Sequence, residues 1–231
     1  MNPTTADDVY VFPTSSGQRR LWLLDQLIPG SSAYNIGWRV HLAGPLDPGR
    51  LAEALRTVVH RHEALRTTFG SVDGLPNQVV ASRMHVPLIA VDESAVDRLV
   101  RTPFDLSTGP LLRAGLVRRS AKEHVLVLVV HHSVVDGWSC AILFDELARS
   151  YAGEALAEPP LQYPDYAVWQ REQVDANSFA EAARYWAEAL AGIPTVLPLP
   201  TDRPHSAAGG RGGELVTELE PQPGASFGTL L

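Results

Sequence analysis

The stretch Val125-Leu126-Val127-Leu128-Val129-Val130-His131-His132-Ser133-Val134-Val135-Asp136-Gly137-Trp138-Ser139 decides the reading of this chain. Its first six residues are all Val or Leu, the composition and length of a strand buried on both faces. Two histidines end the strand, and Asp136-Gly137 opens a segment with helical spacing. An imidazole placed where a buried strand gives way to a loop can act as a general base near neutral pH. Adjacent strand residues point to opposite faces, so one histidine is expected in a cleft and the other in the structure. Asp136 is near enough in sequence to buttress the turn, and Gly137 is expected to supply a backbone conformation closed to other residues.

Working outward, residues 110–118 and 124–130 read as neighbouring strands around a polar turn, and residues 139–151 as a helix. Ile142, Leu143, Leu147 and Tyr151 form its expected inner side. Residues 9–12 suggest an edge strand after a disordered lead, and Thr14, Ser15 and Ser16 offer caps for a helix over 18–27. Residues 34–42 read as a strand. Asp47-Pro48 opens a helix whose buried stripe is Leu51, Leu55, Val58 and Val59. A hairpin follows, with residues 61–69 turning into a strand, a turn over 70–74 and a return strand over 77–81. A strand over 86–91 and helices over 94–101, 163–170 and 179–190 complete the regular part. Four prolines in 194–204 exclude helix or central strand there, residues 209–213 are glycine-rich, and 215–219 is a candidate last strand. Helices and strands mixed without strict alternation indicate an α+β fold, with helices on a mixed or antiparallel sheet.

Bulk composition narrows the function. The chain has 231 residues, 45% hydrophobic and 19% charged, enough for one large domain or two small lobes. A net charge of -7 without any Lys/Arg-rich run argues against nucleic acid as a partner. One cysteine, Cys140, leaves no internal disulfide and suits a reducing compartment. The polar start, and the lack of an apolar run near the roughly 18 residues of a membrane span, lead to the expectation of a cytoplasmic protein without membrane contact.

Each motif has a plain structural alternative. The histidines could merely satisfy backbone groups at a strand end, since short patterns recur by chance. Zinc is disfavoured because adjacent histidines diverge and no Cys or carboxylate has matching spacing. Arg66, on an expected strand, is a candidate ion-pair partner for Asp136, or else a solvated charge. Trp22, Trp138 and Trp169 read as core or lobe-packing residues. Serines near a histidine suggest a hydrolase, but no Gly-x-Ser-x-Gly elbow is present.

Four stretches in order resemble the condensation domains of nonribosomal peptide synthetases. Residues 15–24, Ser-Ser-Gly-Gln-Arg-Arg-Leu-Trp-Leu-Leu, are similar to their first core motif, with Gly17 where Ala is usual. Residues 61–69, Arg-His-Glu-Ala-Leu-Arg-Thr-Thr-Phe, resemble the second. Residues 130–139 resemble the third, His-His-x-x-x-Asp-Gly, with Val130 in place of a common Met. Residues 163–170 resemble the fourth, and Leu199-Pro200-Thr201-Asp202-Arg203-Pro204 the stretch beyond it. A complete domain of this family has two lobes of chloramphenicol-acetyltransferase-like topology flanking a tunnel. The resemblance therefore implies one lobe over residues 1–175, then a crossover helix and linker over 176–231 leading to a C-terminal lobe.

The resemblance also implies a reaction: an acceptor aminoacyl amine attacks a donor thioester, both substrates being carried on phosphopantetheine, with no cofactor bound directly. By position His132 is the catalytic histidine and His131 its structural neighbour. Asp136 and Arg66 organise the loop, Gly137 lies at the tunnel centre, and Trp138 and Ser139 support the site. Implied partners are donor and acceptor peptidyl carrier proteins, the C-terminal lobe and an adjacent adenylation domain. The second motif looks more like domains joining two L-residues, and an isolated lobe is expected to be inactive. Two alternatives stay open: an acyltransferase using coenzyme A or a carrier protein, and a non-catalytic docking module recruiting a partner enzyme. Such modules usually carry a damaged motif, whereas this one is intact.

Overall fold

The computed structural model describes residues 8–197 and 200. Strand β1 (Val9–Pro13) leads into α1 (Ser16–Leu27). Ser15 caps this helix by accepting from the Gln18 N–H, while the Gln18 side chain accepts from the Ser15 N–H. The two free donors of the helix start are thus satisfied reciprocally. Strand β2 (Asn35–Ala43) follows, then α2 (Pro48–Arg61), where Asp47 caps and Pro48 opens the first turn. The expected stripe of Leu51, Leu55, Val58 and Val59 is buried, with Ala54 added.

A 3₁₀ turn, Glu63–Arg66, passes into the hairpin of β3 (Thr67–Val72) and β4 (Leu75–Ala81). Asp73 and Gly74 form its two-residue loop with φ of 52° and 76°. Their left-handed backbone matches the twist of the flanking strands. Strand β1 joins the other edge of β4, giving a three-stranded antiparallel sheet in the order β1-β4-β3.

The larger sheet comprises β2, β5 (Leu88–Ala90), β6 (Leu112–Arg118) and β7 (Glu123–His131), in the order β2-β7-β6-β5. Among the described residues only the β5–β6 pair is parallel. Central β7 is buried from His124 to its end. Burial of each of its Val and Leu side chains contributes about 1.5–3 kcal/mol. Both faces are covered. Helix α3 (Val96–Arg101), entered through a 3₁₀ turn at Glu93–Ala95, packs over Gly37 and Gly115 through Val100 and Leu99. On the opposite face, α2 packs with α4 (Gly137–Ala152), and Trp38 meets Phe144 edge-on at 5.7 Å. On α4, Leu143 and Leu147 are buried as expected, but Ile142 is 44% exposed and Glu146 takes an inner position.

Helix α5 (Tyr163–Asp175) packs on β1 and the 3₁₀ turn, and α6 (Ala180–Ala189) follows. The chain divides into two compact units, Met1–Arg184 and Tyr185–Leu231. The lead before Asp8, the glycine-rich 209–213 and the candidate strand over 215–219 lie outside the described residues, as does all but Pro200 of the stretch beyond the fourth motif. Among the described residues no helix is long and apolar enough to cross a membrane.

Candidate active site

The pleat of β7 separates the two histidines. His131 pairs with Asn35 of β2 and shares the α3 face with Val127 and Val129. It is 4% exposed, with Tyr34 and Phe104 edge-on at centroid distances of 6.4 and 6.1 Å. Its Nδ1 accepts from the Ser133 N–H at 3.3 Å and lies 2.8 Å from the Ser133 hydroxyl. Burial, then repulsion from His132, push its pKa down to about 4. The ring is neutral near pH 7.

His132 emerges exposed on the other side. Its backbone N–H donates to the Tyr34 carbonyl at 2.9 Å, and its Nδ1 lies 2.8 Å from the Val135 carbonyl. A carbonyl can only accept, so Nδ1 carries the proton and the Nε2 lone pair is left for an incoming group. Two cavities meet at this ring. One, about 230 Å³, runs past His62, Asp136, Ser139 and Gln162. The other, about 370 Å³, runs past Gln18, Arg20, Leu21 and Tyr34. His132, Ser133 and Tyr163 line both.

Asp136 caps α4. Its Oδ1 accepts from the Ser139 N–H at 2.8 Å and the Ser139 hydroxyl at 2.6 Å, and these bonds hold its carboxyl below the usual range. Ser139 is thus bonded to Asp136, but Arg66 is not. Arg66 belongs to the 3₁₀ turn rather than to a strand, and its guanidinium donates to the carbonyls of His60 at 3.1 Å and of Ala81. Among the described residues no ion pair links it to Asp136. The tight turn swings the side chain toward the ends of α2 and β4. Gly137 also departs from expectation: its φ is not left-handed, and a Cβ there would meet nothing within 4 Å. Trp138 is 83% exposed and Trp169 51%, so neither is a core residue; Trp22 is partly buried against the core.

A separate, largely buried ion network joins α4 to the end of α2. Glu146 on α4 accepts from Arg61 Nε at 3.0 Å, and its second oxygen lies 2.6 Å from His62 Nε2. The side chains of Arg61 and Glu146 are each 11% exposed. Although burial opposes ionisation, the bonds from His62 and Arg61 lower the Glu146 pKa. A charged residue between Leu143 and Leu147 on an apolar helix face was the available sequence signal.

A second polar chain reaches the loop from α1. Gln18 and Gln78, 2% and 0% exposed, share a hydrogen bond of 2.9 Å, and Gln18 also donates to the Ser133 carbonyl at 3.3 Å. Sequence reasoning overlooked both, although Ser15-x-x-Gln18 is a capping-box spacing. The hydroxyls of Tyr163 and Ser15 lie 2.9 Å apart, and burial pushes the Tyr163 phenol up.

The site thus joins a buried strand ending in a split histidine pair to a capped helix, within an α+β fold. Residues 9–225 match the Condensation domain family, and the chain belongs to it. It is 42% identical over 224 residues to a linear gramicidin synthase of Brevibacillus parabrevis, a match covering 89% of this chain and 4% of that protein. It is also 42% identical over 229 residues to isonitrile lipopeptide synthase of Mycobacterium tuberculosis, covering 89% and 9% respectively. Among solved structures, the complex of the X-domain and OxyB from teicoplanin biosynthesis matches with a TM-score of 0.75 and 30% identity, covering 90% of this chain and 50% of that one. The condensation domain from monacolin K polyketide synthase MokA matches with a TM-score of 0.72 and 26% identity, covering 86% and 48%. The chain thus spans about half of these solved chains and a small part of the curated relatives. The fold is the chloramphenicol-acetyltransferase-like fold of condensation domains.

Proposed function

We propose that this chain is the N-terminal lobe of a condensation domain that forms a peptide bond between a donor acyl or peptidyl thioester and an acceptor aminoacyl thioester. Both substrates ride on the phosphopantetheine of carrier proteins. The observation that carries the reading is the placement of one imidazole, proton fixed on Nδ1, where two cavities meet. Two reactants can then reach a single base, one through each cavity.

In this reading the acceptor amine attacks the donor carbonyl while Nε2 of His132 takes a proton from the attacking nitrogen. The tetrahedral intermediate collapses with cleavage of the C–S bond. The donor pantetheine thiolate leaves and is reprotonated, and the lengthened chain stays on the acceptor arm. Developing negative charge on the carbonyl oxygen calls for a donor, for which a backbone N–H near Gly137 is suited. His131 and Asp136 act by holding the loop and the start of α4, and Trp138 and Ser139 flank them.

Likeness to about half of each of these solved chains supports a C-terminal lobe as the other tunnel wall, with residues 176–231 as crossover helix and linker. The isolated lobe is inactive on this account. The second-motif wording favours two L-residues, and the partners are donor and acceptor carrier proteins and a cytoplasmic adenylation domain. A docking module is the second reading, favoured by the likeness to an X-domain; the intact motif counts against it. The test is His132→Ala in the two-lobed domain: condensation should fall by about 100-fold or more with the fold retained, and undiminished product would overturn the assignment.

A further inference from the structure

The segment bearing His132 is held at five backbone groups. The His132 N–H is held by the Tyr34 carbonyl, the Ser133 N–H by His131 Nδ1, the Val134 N–H by the His131 carbonyl, and the Val135 carbonyl by His132 Nδ1. The remaining anchor is the Ser133 carbonyl, and it is held by a side chain more than a hundred residues away, the Gln18 amide.

The orientation of that amide is determined by its neighbours. The Ser15 N–H can only donate, so Gln18 turns its Oε1 toward it at 3.0 Å. The Gln18 Nε2 then has two hydrogens to place, one on the Ser133 carbonyl and one on Gln78 Oε1. Gln78 is oriented in turn by the Pro13 carbonyl, which can only accept, at 2.9 Å. Both amides are out of water, so a lost partner is not replaced by solvent.

The Ser133 carbonyl lies within the loop closed by the bond from His132 Nδ1 to the Val135 carbonyl. Moving the Ser133 peptide moves Val135, and the bond that selects the tautomer goes with it. We infer that Gln18 is a positioning residue for His132, holding the Nδ1–H tautomer and the aim of Nε2 from the capping turn of α1. Its catalytic consequence rests on the role of His132 proposed above, but its structural content does not.

The test is carried out on the full chain by reading the His132 ring nitrogens in two-bond ¹H–¹⁵N correlation spectra, assigned with His132→Ala. Wild type should show an Nδ1-protonated ring. Gln18→Met should show a mixture of tautomers, while Val58→Ala, which opens the core within α2, should lower thermal stability and leave the ring as in wild type. Where Gln18→Met fails to fold, Gln18→Leu gives the same readout, since its side chain cannot donate to the Ser133 carbonyl. In the two-lobed domain the Gln18 variant should lose about 10- to 100-fold in kcat with KM changed less than about 2-fold. A wild-type tautomer in the folded Gln18 variants, or an equal change in Val58→Ala, overturns the inference. A displaced tautomer together with a His132→Ala domain that still condenses leaves Gln18 as the positioning group and refutes instead the role proposed for His132.

Discussion

Lowering the pH from 8 to 5 should weaken this protein through one buried ring. His131 is 4% exposed, and its pKa lies at about 4 because burial, and then the neighbouring His132, disfavour the imidazolium. In an unfolded chain the same ring titrates near 6.5. As the pH falls the unfolded state therefore binds the proton first. The stability that the neutral ring contributes is complete above about pH 6.5 and declines between about 6.5 and 4. Linkage puts the loss at about 2 kcal/mol by pH 5 and about 3 kcal/mol by pH 4. The assay is urea unfolding, followed by tryptophan fluorescence, at several pH values for the wild type and for His131→Asn. The Asn side chain does not titrate, and its carbonyl can still accept from the Ser133 N–H. Carboxylates titrate in both proteins and cancel in the difference. Wild type should lose about 2 kcal/mol more than the variant between pH 8 and pH 5. An equal loss in both would refute the account of His131 as a ring held neutral by burial.

Glu146→Ala strands Arg61 and His62 in a nearly dry site and should cost about 3–5 kcal/mol; chemical denaturation would show a loss below about 1 kcal/mol if the network behaves as a surface pair. Arg66→Ala should cost about 1–3 kcal/mol through its carbonyl bonds and add independently to Asp136→Asn. A coupling above about 1 kcal/mol in that double-mutant cycle would restore a direct pair. Gly137→Ala should leave the melting temperature unchanged or raise it slightly, because the site is helical and open. It should nonetheless slow condensation in the two-lobed domain, by blocking the approach to His132; an unaffected rate would show that no substrate comes close to Gly137.

The parts of the fold governed by local rules were legible. The Val/Leu run of β7 allowed one buried strand, Asp47-Pro48 opened α2 at the expected residue, and the Asp73-Gly74 pair lies in the expected turn. The split between His131 and His132 followed from the pleat alone. Parts that depend on where distant segments meet were not legible. Arg66 was misplaced because a single 3₁₀ turn rotates its side chain away from a strand direction. Gln18 and Gln78 look like ordinary polar residues until β4 and α1 bring them together. Trp138 is apolar by type, yet it stands exposed at the start of α4 rather than in the core. Helical periodicity assigned Ile142 to the inner face, where Glu146 sits instead because Arg61 and His62 supply its partners.

The most direct test of the central claim is a condensation assay with donor- and acceptor-loaded carrier proteins, run with this chain alone, with a C-terminal condensation lobe added in trans, and with that lobe plus the His132→Ala chain. The account predicts product only when the second lobe accompanies the wild-type chain. Product from the chain alone, or from the pair lacking His132, would contradict it.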